Sequence, residues 1–170
     1  VKNFNLLSIK PIIYVANLNE SEVSNPTSNA EYNKLVEYAK KENSLVIPIT
    51  AQIEADLAGL EKEEKQEFLN ELGLNESGLD TLTKAMYSLL GLETYFTAGE
   101  DELRAWTFKK GMTAPECAGI IHTDFQRGFI KAEVYTYENI MQYKSELKVK
   151  ENGKLRMEGK EYVVKDGDIM

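Results

Sequence analysis

The sequence predicts an α/β unit of parallel strands and helices over residues 1–90, followed over residues 91–170 by a smaller α+β unit. Three observations carry this. Two runs of β-formers, Lys10-Pro11-Ile12-Ile13-Tyr14-Val15-Ala16 and Ser44-Leu45-Val46-Ile47-Pro48-Ile49, are separated by one amphipathic helical stretch, the pattern of a βαβ crossover. Each run ends in a polar cluster, Asn17-Leu18-Asn19-Glu20 after the first and Thr50-Ala51-Gln52 after the second. Loops at the C-terminal ends of parallel strands are where open α/β sheets bind ligands. At Gly91 the texture then changes from helical to short strands with frequent turns.

Val1 to Ser8 reads as the tail of an element that begins earlier, and the absence of an initiator Met at Val1 leads us to expect a piece of a longer protein. The first strand, bounded by Pro11, should be buried on both faces. Residues 23–29, with Pro26 and several Ser and Asn, form a loop. Ser28 and Glu31 have capping-box spacing, and Tyr32, Leu35, Val36 and Ala39 follow at helical period, so a helix should run to about Asn43. After Gln52 come Ile53–Leu57 and then the acidic stretch Glu61–Leu72, a helix with Phe68, Leu69 and Leu72 on one side, ended by Gly73. Leu79, Leu82, Met86, Leu89 and Leu90 form the stripe of a further helix, expected to be core packed against the sheet.

In the second unit, Leu92–Thr97 and Leu103–Phe108 flank Ala98-Gly99-Glu100-Asp101 as a hairpin, with a helix at Pro115–Ile121 beneath it. Ile130–Tyr137 reads as a strand, favoured by Val134, Tyr135 and Tyr137. Leu155–Glu158 and Glu161–Lys165 flank Gly159 as a second hairpin. The resulting ββαββ order is that of a small β-grasp domain. Asp166-Gly167-Asp168-Ile169-Met170 reads as a turn and the start of a strand, so residues beyond Met170 are expected to pair with the first hairpin. Partners already present on both sides of Leu92–Thr97 would contradict that.

A chain of 170 residues holds one ordinary domain or two small ones. Cys117 is the only cysteine and His122 the only histidine, so an internal disulfide is excluded and a His/Cys metal cluster is not expected. With no signal peptide, transmembrane run or lipidation motif, a cytoplasmic protein without membrane contact is expected. The net charge of −8 argues against binding nucleic acid through the overall field. It is unevenly spread: residues 1–90 carry 8 basic and 14 acidic side chains, residues 91–170 carry 12 and 14. The second unit can therefore still present a local basic face.

Asn17-x-x-Glu20 followed by Thr50-Ala51 resembles the base-recognition motifs of P-loop GTPases, usually Asn-Lys-x-Asp and Ser-Ala. Downstream, Thr94–Gly99, Arg104-Ala105-Trp106-Thr107, Ala114-Pro115, Ala118–Phe125, Gly128-Phe129-Ile130 and Glu158-Gly159-Lys160 resemble the TGS domain of the YchF family, the Obg-like ATPases. The resemblance covers essentially the whole chain. It implies a partial P-loop NTPase G domain over residues 1–90 and an α+β, ubiquitin-like TGS domain over residues 91–170. It also implies a redox- or translation-associated, ribosome-binding parent that hydrolyses ATP, and GTP less well, with Mg2+. The ribosome, as large subunit or 70S particle, is the implied partner, reached through both domains; DNA is not.

In the GTPases the short Asp carboxylate accepts from both guanine N1–H and the 2-amino group. Glu20 is one methylene longer, which displaces its carboxylate, and no Lys stem stands at Leu18 to cover the base, so guanine preference should weaken. On the resemblance, Asn17 contacts the base edge, Leu18 lies against the base, and Thr50, Ala51 and Gln52 close the far side. The other reading of Asn17 is a loop cap made by its side-chain amide.

A Gly-x-x-x-x-Gly-Lys-Ser/Thr loop occurs nowhere in the chain. Phosphates and metal supply most of the affinity for a nucleoside triphosphate. The chain alone is therefore expected to bind nucleotide weakly or not at all, to hold no cofactor and to be inactive.

His122 invites a catalytic role, but with no second His and no Ser or Cys partner in motif, a structural hydrogen bond is the reading adopted. Cys117, in an apolar helix, should be buried and inert. Trp106, between Arg104 and Lys109, either stacks on a base or belongs to strand core; core is adopted, because Ala105 and Thr107 fill the alternate face. Lys109, Lys110, Arg127, Lys131, Lys144, Lys148 and Lys150 are the candidates for an RNA or ribosome face. Two rivals to the ATPase reading stand: a non-catalytic TGS adaptor for ribosomal RNA or protein, and a regulatory module sensing a small ligand.

Overall fold

The two β-former runs become two parallel strands, β1 (Ile13–Asn17) and β2 (Leu45–Ile49), in register from Ile13 opposite Leu45 to Asn17 opposite Ile49. The computed structural model describes residues 4, 6–99 and 102–170. The chain divides into two units, Val1–Leu89 and Leu90–Met170.

Around β1 and β2 the described residues of the first unit form 3-10 turns at Leu7–Ile9 and Pro26–Ser28 and the helices α1 (Glu20–Val23), α2 (Ala30–Lys41), α3 (Ala51–Leu57), α4 (Lys62–Glu71) and α5 (Gly78–Leu90). Part of the tail expected at Val1–Ser8 lies outside the described residues. The helix between the strands is capped by Asn29, whose side chain accepts from Tyr32 N, and not by Ser28. Pro26 winds Ser28 into the preceding turn, where its hydroxyl donates to Asn25 O. Asn43, at φ 54°, takes the left-handed position that ends α2. The acidic stretch is helical as expected, and Gly73 at φ 70° ends it with Gly73 N on Asn70 O and Leu74 N on Leu69 O. Ile53, Leu57 and Leu69 form the core here, with Val23, Leu60, Phe68, Leu72 and Leu74 against them.

Two further expectations fail in this unit. β1 is not buried on both faces, since Val15 is 44% exposed. The α5 stripe is not core: Leu79, Met86 and Leu90 are exposed and no residue of α5 is buried. Periodicity identifies an apolar face without saying what covers it.

The second unit follows with β3 (Leu92–Ala98), β4 (Leu103–Lys109), α6 (Ala114–Ile121), α7 (Thr123–Arg127), β5 (Ala132–Thr136), α8 (Tyr137–Tyr143), α9 (Glu146–Glu151), β6 (Arg156–Glu158) and β7 (Asp168–Ile169). The sheet order is β4-β3-β7-β5-β6. Its last strand lies between the first hairpin and the rest, the order that defines a β-grasp sheet. The hairpin's strands pair as expected; Glu100 and Asp101 of its turn lie outside the described residues.

Successive residues of a strand face opposite sides, so Tyr95 and Phe96 serve two cores. Tyr95, Phe108, Ala114, Cys117 and Val164 pack on the α6 side, and Tyr135, Val149 and Ile169 on the α8–α9 side with Phe96.

Three expectations are corrected in this unit. The strand reaches only Thr136, because the Thr136 and Asn139 side chains cap a helix that starts at Tyr137. Glu161–Lys165 is not a hairpin strand: β6 pairs with β5, and Val163 alone bridges, to Thr113. The pairing expected of residues beyond Met170 is begun by residues present, since Phe96 stands between Ala105 and Ile169 and Met170 N donates to Phe96 O.

Cys117 is buried, and burial pushes its thiol up to about 12, with Glu116 and Asp168 adding to the rise. The buried Tyr95 hydroxyl, which donates to Cys117 O at 2.8 Å, is raised too. Both groups fold neutral with raised pKa values, so their stabilisation is complete below the unfolded thiol range and is lost as pH climbs toward 12. The melting temperature of the second unit should therefore hold steady from neutral to about pH 8.5 and fall above it. Iodoacetamide should label Cys117 at pH 8 only on unfolding; prompt native labelling would contradict this placement.

Candidate functional site

The site is built where β1 and β2 end side by side. Parallel pairing puts Asn17 opposite Ile49, so the two following loops leave the sheet together. Leu18 N donates to Ile49 O at 2.8 Å, the Thr50 hydroxyl donates to Leu18 O at 3.1 Å, and Ala51 N donates to Asn17 Oδ1 at 3.0 Å. These three bonds join residues more than thirty positions apart into one bracket. Thr50 is buried, Leu18 half-buried, and Asn17 and Ala51 exposed, so the bracket is anchored inward and open outward. Among the described residues, Asn17 Nδ2 has no partner.

Asn17, Leu18, Thr50 and Ala51 are thus brought together. Glu20 stands at the start of α1, exposed, and no hydrogen bond ties it to the Thr50–Ala51 turn. Asn19 and Asn29 both donate to the Glu22 carboxylate, which fixes the loop carrying Glu20 from outside. Gln52 turns away along α3, its amide donating to Asp56 at 2.9 Å. Ala51 and Gln52 are the first helical residues after Thr50 rather than part of a loop.

Sequence reasoning missed Glu54 and Gly78. Gly78 N donates to Glu54 Oε1 at 2.7 Å, a contact across 24 residues that no local pattern signals.

In the second unit Lys109, Lys110, Arg127 and Lys131 are all exposed. Lys110 is paired with Glu93 at 3.1 Å, and Lys131 lines a mostly apolar cavity of about 560 Å3 with Asp124, Phe125, Phe129 and Ile130. Trp106 is half-buried, its indole N–H donating to Thr97 and the Arg104 guanidinium 4.2 Å above its ring. His122 is exposed, and its Nδ1 accepts from Asp124 N as the cap of α7. Among the described residues no group of three or more His, Cys, Asp or Glu could hold a metal ion. No described helix is long and apolar enough to cross a membrane.

A parallel pair whose strand-end Asn is bonded to the Thr-Ala turn of the next strand, followed by a β-grasp sheet, is consistent with the end of a nucleotide-binding α/β domain and an α+β domain after it. Residues 92–170 match the family YchF-GTPase_C, described as "Protein of unknown function (DUF933)". Over all 170 residues the chain is 61% identical to the "Ribosome-binding ATPase YchF" of Bacillus subtilis and 49% identical to that of Pasteurella multocida. It spans 46% of the length of each. The solved structure of the Schizosaccharomyces pombe YchF GTPase superposes with a TM-score of 0.85 at 36% identity, covering 96% of this chain and 43% of that one. Over its whole length the chain is similar to the YchF proteins.

Proposed function

We propose that residues 1–90 form the base-recognising part of a nucleotide site and residues 91–170 a TGS module that docks on the ribosome. In this reading the longer protein is a cytoplasmic ATPase that uses GTP less well. The observation that carries the reading is the bracket itself: Asn17 Oδ1 on Ala51 N and the Thr50 hydroxyl on Leu18 O. It leaves Asn17 Nδ2 to donate to a purine ring nitrogen and Leu18 to lie against the ring.

The bracket also bears on which purine fits. The Ala51 N–H is already donated, so it is not available to a 6-oxo group, whereas a 6-amino group requires no donor there. Together with the longer Glu20, this supports adenine at least as well as guanine. The names of the relatives, ribosome-binding ATPases, support an ATPase that binds ribosomes.

Among the described residues no group of three or more His, Cys, Asp or Glu could hold Mg2+, so the ion is assigned to the nucleotide's phosphates and to other polypeptide, and no step is derived through it. This chain's residues select and orient the base. Lys109, Arg127 and Lys131 are the residues assigned to the ribosome face. Lys110 contributes less because Glu93 already pairs with it.

The test is Glu20→Asp in a chimera in which these 170 residues replace the matching stretch of the Bacillus subtilis relative. Shortening the carboxylate should move the ATP-to-GTP affinity ratio toward GTP by about tenfold, read by calorimetry. An unchanged ratio would show that Glu20 does not read the base.

A further inference from the structure

The bracket is held from its front by residues 17 and 18; its rear support is provided by the start of α5. Glu54 lies one helical turn after Thr50, its own N–H bonded to Thr50 O, and its half-buried carboxylate accepts from Gly78 N at 2.7 Å. Gly78 presses against the other half of the turn. A Cβ there would lie 2.7 Å from Ile49 Cγ2 and 2.9 Å from Glu54 Oε1, so no side chain fits without moving β2 or α3. Ile49 is the residue whose carbonyl accepts from Leu18 N. Packing alone does not hold the turn from behind, because a pocket of about 130 Å3 lined by Val23, Thr50, Ile53, Leu74 and Thr81 opens there. The ion-to-amide bond spans the gap.

We infer that Glu54 and Gly78 are positioning residues for the base-recognising turn: the Glu54–Gly78 strut sets where Ile49, Thr50 and Ala51 stand, and through them Asn17 and Leu18. Neither residue touches the base. The inference deepens the base-site reading and, in its consequence for nucleotide affinity, rests on it.

Amide hydrogen exchange on the 170-residue chain tests the strut without any ligand. Glu54→Ala should speed exchange at Ala51 and Leu18 by about tenfold or more while leaving Leu69 in α4 and Leu72 at its C-terminal cap unchanged, the pattern of a local opening. Glu54→Gln keeps an acceptor for Gly78 N and should restore most of the protection at Ala51 and Leu18. Unchanged exchange at Ala51 and Leu18 in Glu54→Ala would overturn the inference. So would uniform acceleration through α4, which would make Glu54 a general stability residue.

In the chimera, Glu54→Ala should weaken ATP and GTP by the same factor, about tenfold, because a misplaced turn loses contacts common to both purines. A changed ATP-to-GTP ratio would assign Glu54 to direct base contact and overturn the positioning role. A chimera that binds neither nucleotide before substitution removes the base-site reading instead, and the exchange pattern alone then decides the strut.

Discussion

Replacing Asp168 with Ala is expected to destabilise the second unit by about 3–5 kcal/mol, the range for stripping one partner from a buried ionic group. Asp168 is 1% exposed, and its carboxylate accepts from Tyr162 OH at 2.7 Å, Lys165 N at 2.9 Å and Arg156 Nη2 at 3.4 Å. It also begins β7, the strand that joins the hairpin to the rest of the sheet. Truncation leaves a phenol, an amide and a guanidinium facing a hole at the centre of the β-grasp order. Arg156 retains Glu158 at 3.2 Å, so the remaining charge is only partly compensated. Domains of this size are stable by about 5–15 kcal/mol, so much of the margin goes. Trp106 is the sole tryptophan, and its fluorescence in a urea titration reports this unit alone. Asp168→Asn keeps the shape and one acceptor and should lose distinctly less; equal losses would mean that the charge, rather than shape, holds the network.

Asn17→Ala should lower the affinity of the chimera for ATP by about 30- to 150-fold. Two hydrogen bonds go at once, the acceptor for Ala51 N and the donor proposed for the purine, at about 1–1.5 kcal/mol each. The fluorescence transition of Trp106 should not move. Thr50→Val removes only the bond to Leu18 O and should weaken ATP by about fivefold to tenfold, since the loops keep the Asn17–Ala51 tie. An Asn17→Ala chimera that binds ATP as tightly as its parent would reduce Asn17 to a loop cap, the other reading its sequence position allows.

The bracket was legible in the sequence because it needs only two parallel strands in register with a polar cluster after each, and strand, helix and strand are all local patterns. Glu54 and Gly78 were not. Their bond depends on α5 returning to the end of β2, which neither residue's neighbours announce, and a Gly before an apolar helix reads equally well as loop. Ser28 and Asn29 are both good caps, and the choice between them turned on the tight turn that Pro26 imposes one step earlier. Leu79, Met86 and Leu90 carry the right period for a core stripe, yet the described residues leave them exposed. Tyr162-Val163-Val164 has strand propensity, but Tyr162 is used by Asp168 and Val164 by the α6 core, so only Val163 bridges. Cys117 and the hairpin followed their local signals closely, because an apolar helix and a two-stranded turn require little from the rest of the chain.

The most direct test of the proposed base site is the contact between base and bracket. Intermolecular NOEs should be sought between the adenine H2 and H8 protons of bound ATP and the methyls of Leu18 in the chimera. The account predicts cross-peaks to Leu18, together with a shift of the Asn17 side-chain amide on ATP addition. Tight ATP binding with no cross-peak to Leu18 and an unmoved Asn17 amide would contradict it.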